Sequence, residues 1–293
     1  MKQTIRPFSI VARGRLVEFR RPAVMGILNV TDDSFYDGGR YRSEEAIVQR
    51  AQQIVAEGAD IIDIGAASSR PGATLPPREV EAERLAWAVR LVRTELPEAL
   101  ISVDTCYSMP ARAAIEAGAD IVNDIAGGEV ERYCEGANDT ERCRMFSTVA
   151  ELQVPYILMH GGKEHLAGIK QMDGGAPVDQ LTKFFSARLD ELYRLGVKDV
   201  WLDPGLGFAK SMEQNFELLD RLDELTTLFR EPVLVGLSRK RMIYTTLGIT
   251  PDEGLNGTVA LDAIALDRGA AVIRVHDVKP AVETVKLLYR NTL

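Results

Sequence analysis

This 293-residue chain has few cysteines, no excess of basic charge and no long apolar run. The three cysteines, Cys106, Cys134 and Cys143, form no CxxC pair. Their odd number fits a reducing compartment better than a disulfide framework. We therefore expect free thiols and a cytoplasmic location.

The charge balance and the lack of long apolar runs limit the partners that we expect. The net charge is -8 and the sequence pI is about 5.1, so the long-range field repels nucleic acid. Charges interrupt the apolar residues near the N-terminus too often for a signal peptide, and no later window approaches a membrane span. We therefore expect neither nucleic acid nor membrane as a partner.

The bulk composition is that of an ordinary globular protein. Hydrophobic residues make up 46% of the chain and charged residues 27%, which is enough to bury a full core as one large domain or two smaller ones. No linker or low-complexity segment divides the sequence. We therefore predict a single domain over residues 1–293.

Short apolar runs that resemble strands alternate with stretches of helical spacing. The predicted strands are 23–30, 60–65, 100–104, 120–125, 155–160, 199–204, 232–238 and 270–277. The predicted helices are 43–58, 77–95, 107–118, 179–195, 211–225 and 254–269. Three of these helices end in a similar phrase, EGADIIDI, AGADIVNDI or RGAAVIRV, in which a glycine can end the helix.

This alternation predicts an α/β fold, a (β/α)8 TIM barrel with an N-terminal β-hairpin. Continuous apolar strands indicate a parallel sheet covered by helices, and eight units in roughly 250 residues are the size of a closed barrel. The segment FSIVARGRLVEF (8–19) precedes the barrel as the hairpin. An open doubly wound sheet is the alternative architecture.

Almost every predicted strand ends in a polar residue, and in such a barrel the carboxyl ends of the strands form the active site. One set of these residues suits the edge of a flat polar heterocycle: Asp104, Asn123 and Asp203. A second set suits an anion, since guanidinium groups bind phosphate in a fork: Asn29, Arg70, Lys240, Arg274 and His276. We therefore predict one site for a polar ring and a phosphate.

Each of these motifs also has a purely structural interpretation. RVHD (274–277) is consistent with an ion-paired strand end, and SRKR (238–241) with a solvated helix start. The glycines of DPGLGF (203–208) suit a tight turn as well as a phosphate, and the pattern is not a P-loop. Agreement across many strand ends favours the functional interpretation.

Taken in order, these segments resemble the dihydropteroate synthase family. The matching segments are MGILNVTDDSFYDGG (25–39), SSRPGA (68–73), SVDT (102–105), NDI (123–125), LMH (158–160), DPGLGF (203–208), GLSRK (236–240) and RVHDV (274–278). Each segment is short, but together they cover nearly the whole predicted barrel. Their common order, each at a strand end, makes the resemblance specific.

The resemblance implies condensation of 6-hydroxymethyl-7,8-dihydropterin diphosphate with 4-aminobenzoate, which forms 7,8-dihydropteroate for folate synthesis. The pterin contacts that it implies are Asp104, Asn123, Met159, Asp203, Phe208, Gly236 and Lys240. The diphosphate contacts are Asn29, Ser69, Arg274 and His276, with Asn29 also a ligand of Mg²⁺. The aminobenzoate contacts are Phe35, Ser69, Arg70, Pro71, Lys240 and Arg241. The catalytic residues are Asp37, Arg70, Asp104 and Lys240.

The resemblance also implies a mechanism and an assembly. Diphosphate leaves before the amine attacks, so no side-chain nucleophile is needed, and we interpret Cys106 as a packed side chain. The resemblance implies a homodimer, and we would place its interface on the outer helices near the C-terminal third, away from the mouth.

Several departures from the family pattern leave alternatives open. Ala67 replaces the usual acid, Asp32 replaces a proline, and Arg241 stands where many relatives carry serine. The segment 161–175 also diverges. One alternative is a barrel that transfers a methyl group from methyltetrahydrofolate, which would not need SSRPG or RVHD. Another is a pterin-binding paralogue without catalytic activity.

Overall fold

The elements of the fold alternate along the chain as strands and helices. The computed structural model describes residues 6–30, 40–67, 76–130, 144–161 and 176–290. The strands are β1 (Phe8–Ala12), β2 (Arg15–Phe19), β3 (Ala23–Asn29), β4 (Ile61–Gly65), β5 (Leu100–Asp104), β6 (Ile121–Asp124), β7 (Tyr156–Met159), β8 (Val200–Asp203), β9 (Leu234–Val235) and β10 (Val272–Val275). The helices are α1 (Arg40–Ala56), α2 (Arg78–Glu95), α3 (Ser108–Glu116), α4 (Arg144–Leu152), α5 (Pro177–Arg194), α6 (Met212–Asp220), α7 (Leu222–Leu228), α8 (Arg241–Leu247), α9 (Leu255–Asp267) and α10 (Val278–Leu288).

Strands β3 to β10 form one parallel sheet that closes on itself. Its order is β8-β7-β6-β5-β4-β3-β10-β9. A further bridge joins Leu202 of β8 to Val233, and the Leu202 amide donates to the Pro232 carbonyl at 2.9 Å. The two ends of the sheet therefore meet next to β9. The predicted barrel is confirmed, and the open doubly wound sheet is wrong.

Burial on both faces explains why the barrel strands are continuously apolar. All five residues of β4 are buried, as are the four of β6, β7 and β8. One face of each strand points into the barrel and the other packs under the helices. Polar side chains within these strands therefore lie inside the barrel or beneath helices, where they need hydrogen-bond partners.

The N-terminal hairpin covers one end of the barrel. Arg13 and Gly14, at φ of 48° and 74°, form the tight turn between β1 and β2. Phe8 and Phe19 stack on each other and contact the Trp201 ring edge-on, at centroid distances of 5.5 and 6.0 Å. Residues at the starts of the barrel strands belong to the same buried cluster. The amino end of the barrel is therefore closed, and its carboxyl end remains for a site.

The helices differ from the sequence prediction in two respects. The stretch predicted as one helix over 211–225 is two helices, α6 and α7, which meet at Arg221. Arg221 binds Glu217 and Glu224 on either side of the break, at 3.0 and 2.7 Å. Helices α4 and α10 lie outside the predicted helical ranges, because α4 is short and α10 follows the RVHD motif directly. Helix α8 begins at Arg241, the last residue of SRKR, which agrees with the helix start that was one interpretation of that segment.

One buried carboxylate joins the hairpin to the barrel. Asp120, which is 1% exposed, binds Arg13 of the hairpin turn and Arg93 of α2, each at 2.7 Å. The same carboxylate accepts the Ile101 amide at 2.8 Å. It therefore ties three elements together at the closed end.

We predict that Asp120→Ala lowers the free energy of unfolding by roughly 3 kcal/mol, because the partly buried Arg93 guanidinium loses its counterion. Urea unfolding followed by circular dichroism measures this change. Glu98→Ala is the matched control, since Glu98 forms an exposed pair with Arg15, and we expect no measurable change. Equal stability of the Asp120 and Glu98 variants would contradict the anchoring role.

Candidate active site

The strand register places three predicted site residues and Gly65 side by side at the open end of the barrel. Asn29 pairs with Gly65, Gly65 with Asp104, and Asp104 with Asn123. A Cβ atom on Gly65 would lie 3.6 Å from Asn29 Oδ1 and 3.8 Å from Asp104 Oδ2. The absent side chain at Gly65 therefore leaves space between the amide and the carboxylate.

Arg274 lies between two carboxylates inside the mouth of the barrel. Its Nε donates to Asp63 Oδ2 at 2.6 Å, and its Nη2 donates to Asp104 Oδ2 at 2.7 Å. The Asn123 amide also donates to Asp63 Oδ2, at 3.2 Å. The Asp63 side chain is fully buried, whereas that of Arg274 is 20% exposed. Residues from β4, β5, β6 and β10 thus form one connected network.

The network sets the ionisation of Asp104. Burial raises the pKa of Asp104 to about 7, although the positive charge of Arg274 opposes the shift. Burial lowers the pKa of Arg274, but Asp63 and Asp104 reverse that effect, so its pKa lies above the ordinary value. Arg274 therefore stays charged. Asp104 is poised to change its charge near neutral pH.

Asp203 and Met159 face the same mouth from adjacent strands. The two residues are paired in the register of β7 and β8, and both are buried. Asp203 Oδ1 accepts the Gly205 amide at 2.7 Å, which fixes the carboxylate at the start of the loop. Gly205 has φ +66°, and a Cβ there would lie 1.8 Å from the His160 carbonyl oxygen. Only glycine fits this turn.

The loop after β8 is held by a buried lysine. Lys210 Nζ donates to the carbonyl oxygens of His160, Gly205 and Phe208 at 3.2, 3.0 and 3.1 Å. These bonds join the loop after β7 to the loop after β8. The glycines of DPGLGF therefore serve a compact turn that presents Phe208 to the mouth.

Lys240 reaches the mouth from the loop after β9. Its Nζ donates to the Leu206 carbonyl and lies 4.3 Å from the centre of the Phe208 ring. A Cβ on Gly236 would lie 3.7 Å from Lys240 Nζ and 3.8 Å from Arg274 Cβ, so Gly236 borders both cations. Burial lowers the pKa of Lys240 to about 8, while the charge of Asp203 opposes the shift.

A strained residue positions Lys240. The preceding Arg239 has φ +54°, which is uncommon outside glycine. Its guanidinium binds both oxygens of Asp277 at 2.9 and 3.0 Å, and its amide donates to Thr258 Oγ1 at 3.0 Å. These bonds offset the backbone strain and fix the turn that leads into α8.

The remaining predicted anion residues lie at the rim. Asn29 and His276 are exposed, and the His276 amide donates to Ser238 Oγ at 3.2 Å. Arg241 is also exposed, as the first residue of α8.

Five predicted site residues lie outside the described residues: Phe35, Asp37, Ser69, Arg70 and Pro71. Within the described ranges, no group of three or more His, Cys, Asp or Glu side chains is arranged to hold a metal ion. No described helix has the length and apolar character needed to cross a membrane. Cys106 is buried, and burial raises the pKa of its thiol well above the ordinary value, which agrees with a packed side chain.

Asp63 and the Arg239–Asp277 pair were not predicted as parts of the site. Asp63 stands among isoleucines in β4, and a carboxylate in a strand buried on both faces requires a polar partner. That signal was present in the sequence, but it did not identify Arg274. The strain at Arg239 has no sequence signal that we recognise.

Comparison with known proteins supplies the family. Residues 25–276 match the family model described as pterin binding enzyme. The dihydropteroate synthase of Streptococcus pyogenes is 40% identical over 279 residues, which cover 94% of this chain and 97% of that protein. This chain is a member of the dihydropteroate synthase family.

Solved structures of the family agree with the fold. A Xanthomonas albilineans dihydropteroate synthase with 4-aminobenzoic acid has a TM-score of 0.83 and 35% identity, covering 97% of each chain. A Coxiella burnetii dihydropteroate synthase in complex with pteroic acid has a TM-score of 0.80 and 31% identity, covering 97% of this chain and 98% of its own. The prediction of an enzyme of folate synthesis that transfers an alkyl group other than methyl is confirmed.

We predict that the affinity of this dihydropteroate synthase family member for pterin is highest in a narrow pH window. Asp104 is ionised above about 7, whereas Lys240 is charged below about 8, so both charges coexist mainly between these values. Calorimetric titration with a pterin across this range measures the effect. In the Lys240→Arg variant the decline in pterin affinity above about pH 8 should disappear, because arginine stays charged. A pterin affinity that stays constant from below pH 7 to above pH 8 would contradict the assignment of Asp104 and Lys240 to the pterin site.

Proposed function

We propose that this chain condenses 6-hydroxymethyl-7,8-dihydropterin diphosphate with 4-aminobenzoate at the open end of the barrel. The supporting observation is that a set of ring-binding groups and a set of cations converge on one mouth. Asp104, Asn123 and Asp203 supply acceptors and an amide. Arg274, which donates to Asp104, lies between these groups and the exposed rim. Such an arrangement suits a substrate with a flat polar ring at one end and an anion at the other.

The inner groups bind the pterin. Asp203 and Asn123 present an acceptor and an amide to the ring edge, and Lys240 donates to its carbonyl side. Met159 and Phe208 line the faces of the ring, and Gly236 leaves room for it. Because these groups are buried or half-buried, each unmatched polar atom carries a substantial penalty, which favours a ring with complementary donors and acceptors.

The outer groups bind the diphosphate. Arg274 carries five N–H donors, of which the described carboxylates Asp63 and Asp104 occupy two. Other N–H groups of Arg274, with Asn29 and His276 at the rim, suit phosphate oxygens. Ser69 belongs to this set by resemblance.

We propose Mg²⁺ as the cofactor, bound beside Asn29. The fit rests on Asn29 Oδ1, an exposed hard-oxygen donor next to the space over Gly65. Mg²⁺ typically takes few protein ligands and completes its shell with water and substrate phosphates, so a site without a carboxylate cluster suits it. When bound, the ion neutralises charge on the diphosphate.

The proposed reaction breaks one bond before it forms the next. The carbon–oxygen bond to diphosphate breaks, and the electron pair leaves with the diphosphate. The pterin methylene cation then takes the nitrogen lone pair of 4-aminobenzoate, and the ammonium proton passes to solvent or diphosphate. Asp63, Asp104 and Arg274 carry a net charge of about -1 when ionised, which stabilises the cation electrostatically.

The aminobenzoate is proposed to bind beside the start of α8. Arg241, exposed at the start of α8, supplies a cation for its carboxylate. The X. albilineans relative with 4-aminobenzoic acid supports this substrate class. Phe35, Asp37, Arg70 and Pro71 are assigned to the same substrate by resemblance alone.

We further propose a cytoplasmic homodimer. The absence of a CxxC pair among the three cysteines suits a reducing compartment. Large apolar side chains are exposed on the last three helices, namely Leu247 at 56%, Ile264 at 39% and Leu287 at 71%. Light scattering coupled to size-exclusion chromatography tests the dimer, and a monomer at micromolar concentration would contradict it.

The experiment that tests the function is a coupled assay for diphosphate release with both substrates. We expect repeated turnovers of diphosphate release only when 4-aminobenzoate is present. We also expect the rate of release to fall when a chelator removes Mg²⁺. Methyl transfer from methyltetrahydrofolate is the control reaction, and we expect none. Pterin binding without turnover would instead favour the non-catalytic paralogue.

We predict that Asp203→Asn weakens pterin binding roughly tenfold or more while the fold persists. The asparagine oxygen can keep the bond to the Gly205 amide, so its NH₂ group faces the ring donors. Isothermal calorimetry measures the affinity, and Asp190→Asn on the exposed face of α5 is the control. Unchanged affinity in a folded Asp203→Asn protein would rule out the assignment.

A further inference from the structure

Arg50 connects helix α1 to the anion side of the mouth. It is half-buried on α1, and its Nη2 donates to the His276 carbonyl oxygen at 2.7 Å. His276 follows β10, which is the neighbour of β3 in the barrel. The guanidinium of Arg50 therefore lies behind the rim formed by the ends of these two strands.

A cavity of about 300 Å³ opens at this point. Its polar lining comes from Asn29, Arg50 and His276, and apolar residues of β3 and α1 complete it. Asn29 and His276 are both exposed, so the cavity is accessible from the mouth. The cavity adjoins the proposed diphosphate site through these two shared residues.

The charges around the cavity are mainly positive. Arg274, Arg239 and Arg50 all act on His276 electrostatically, with Asp277 as the opposing charge. Asp277 is already bound by both arms of Arg239. Among the described residues, no carboxylate forms an ion pair with Arg50, and its bond to the His276 carbonyl uses one of five N–H groups.

We propose that Arg50 is a specificity residue that binds the outer phosphoryl group of the pterin diphosphate and of the diphosphate released from it. This inference rests on the proposed function and extends it to a residue of α1. The pterin groups lie on β5, β6 and β8, whereas Arg50 lies on a helix outside β3. The phosphoryl group farthest from the ring is therefore the one that reaches the cavity, where a guanidinium can bind it in a fork.

The test is calorimetry of the full-length protein with three ligands: inorganic diphosphate, pterin diphosphate and 6-hydroxymethyl-7,8-dihydropterin. We expect Arg50→Gln to weaken both diphosphate ligands roughly tenfold or more and to leave the uncharged pterin unchanged. Glutamine keeps a donor for the His276 carbonyl but lacks the charge. Arg50→Lys should bind the diphosphate ligands with intermediate affinity, since it retains the charge without the fork.

Arg194→Ala is the charge-matched control, because Arg194 forms an exposed pair with Asp190 on α5, away from the cavity. It should bind all three ligands as the wild type does. Equal diphosphate affinity in wild type and Arg50→Gln would overturn the proposal, as would a wild type that does not bind inorganic diphosphate. An equal loss for all three ligands would also overturn it, because Arg50 would then act only on the structure of the mouth. Turnover by the wild-type enzyme tests the proposed function independently of these results.

Discussion

The contact of Arg274 with Asp63 and Asp104 is the interaction on which the rest of the site depends. A buried guanidinium is stable only beside carboxylates that satisfy it, and a buried carboxylate is stable only beside a cation or several donors. The two bonds, at 2.6 and 2.7 Å, meet both requirements at once. They also join β10 to β4 and β5 across the mouth. Removing either type of group would leave the other buried and unpaired.

The barrel supplies this contact through its register and its closed amino end. The hairpin cluster around Trp201 fills one end, so side chains at the other end can remain polar without exposing the core. Asn29, Gly65, Asp104 and Asn123 then lie side by side because their strands are neighbours in sequence order. Lys240 follows β9, on the opposite side of the barrel, and its position depends on the strained turn at Arg239. Rigid strands thus position the carboxylates and the Asn123 amide, and a strained turn positions Lys240.

Most of the barrel could be predicted from the sequence, because each buried strand is a short apolar run and each run ends in a polar residue. The network within the mouth could not. Asp63 lies within a strand run rather than at its end, and its partner Arg274 is 211 residues away in the chain. SRKR indicated only the start of helix α8, because its seven residues are too short for a clear period. Arg50 was missed because a charged residue on an amphipathic helix has the same pattern whether it faces solvent or a cavity.

Arg274 limits the rise in the pKa of the buried Asp104, so that this carboxyl group ionises close to neutral pH. The most direct measurement is a ¹³C NMR titration of the Asp104 carboxyl carbon in the wild type and in Arg274→Gln. Our account predicts a midpoint near 7 in the wild type, since burial raises the pKa and Arg274 limits the rise. Loss of the cation should move the midpoint upward by roughly one pH unit or more. A midpoint that stays in place or falls in Arg274→Gln would contradict the account.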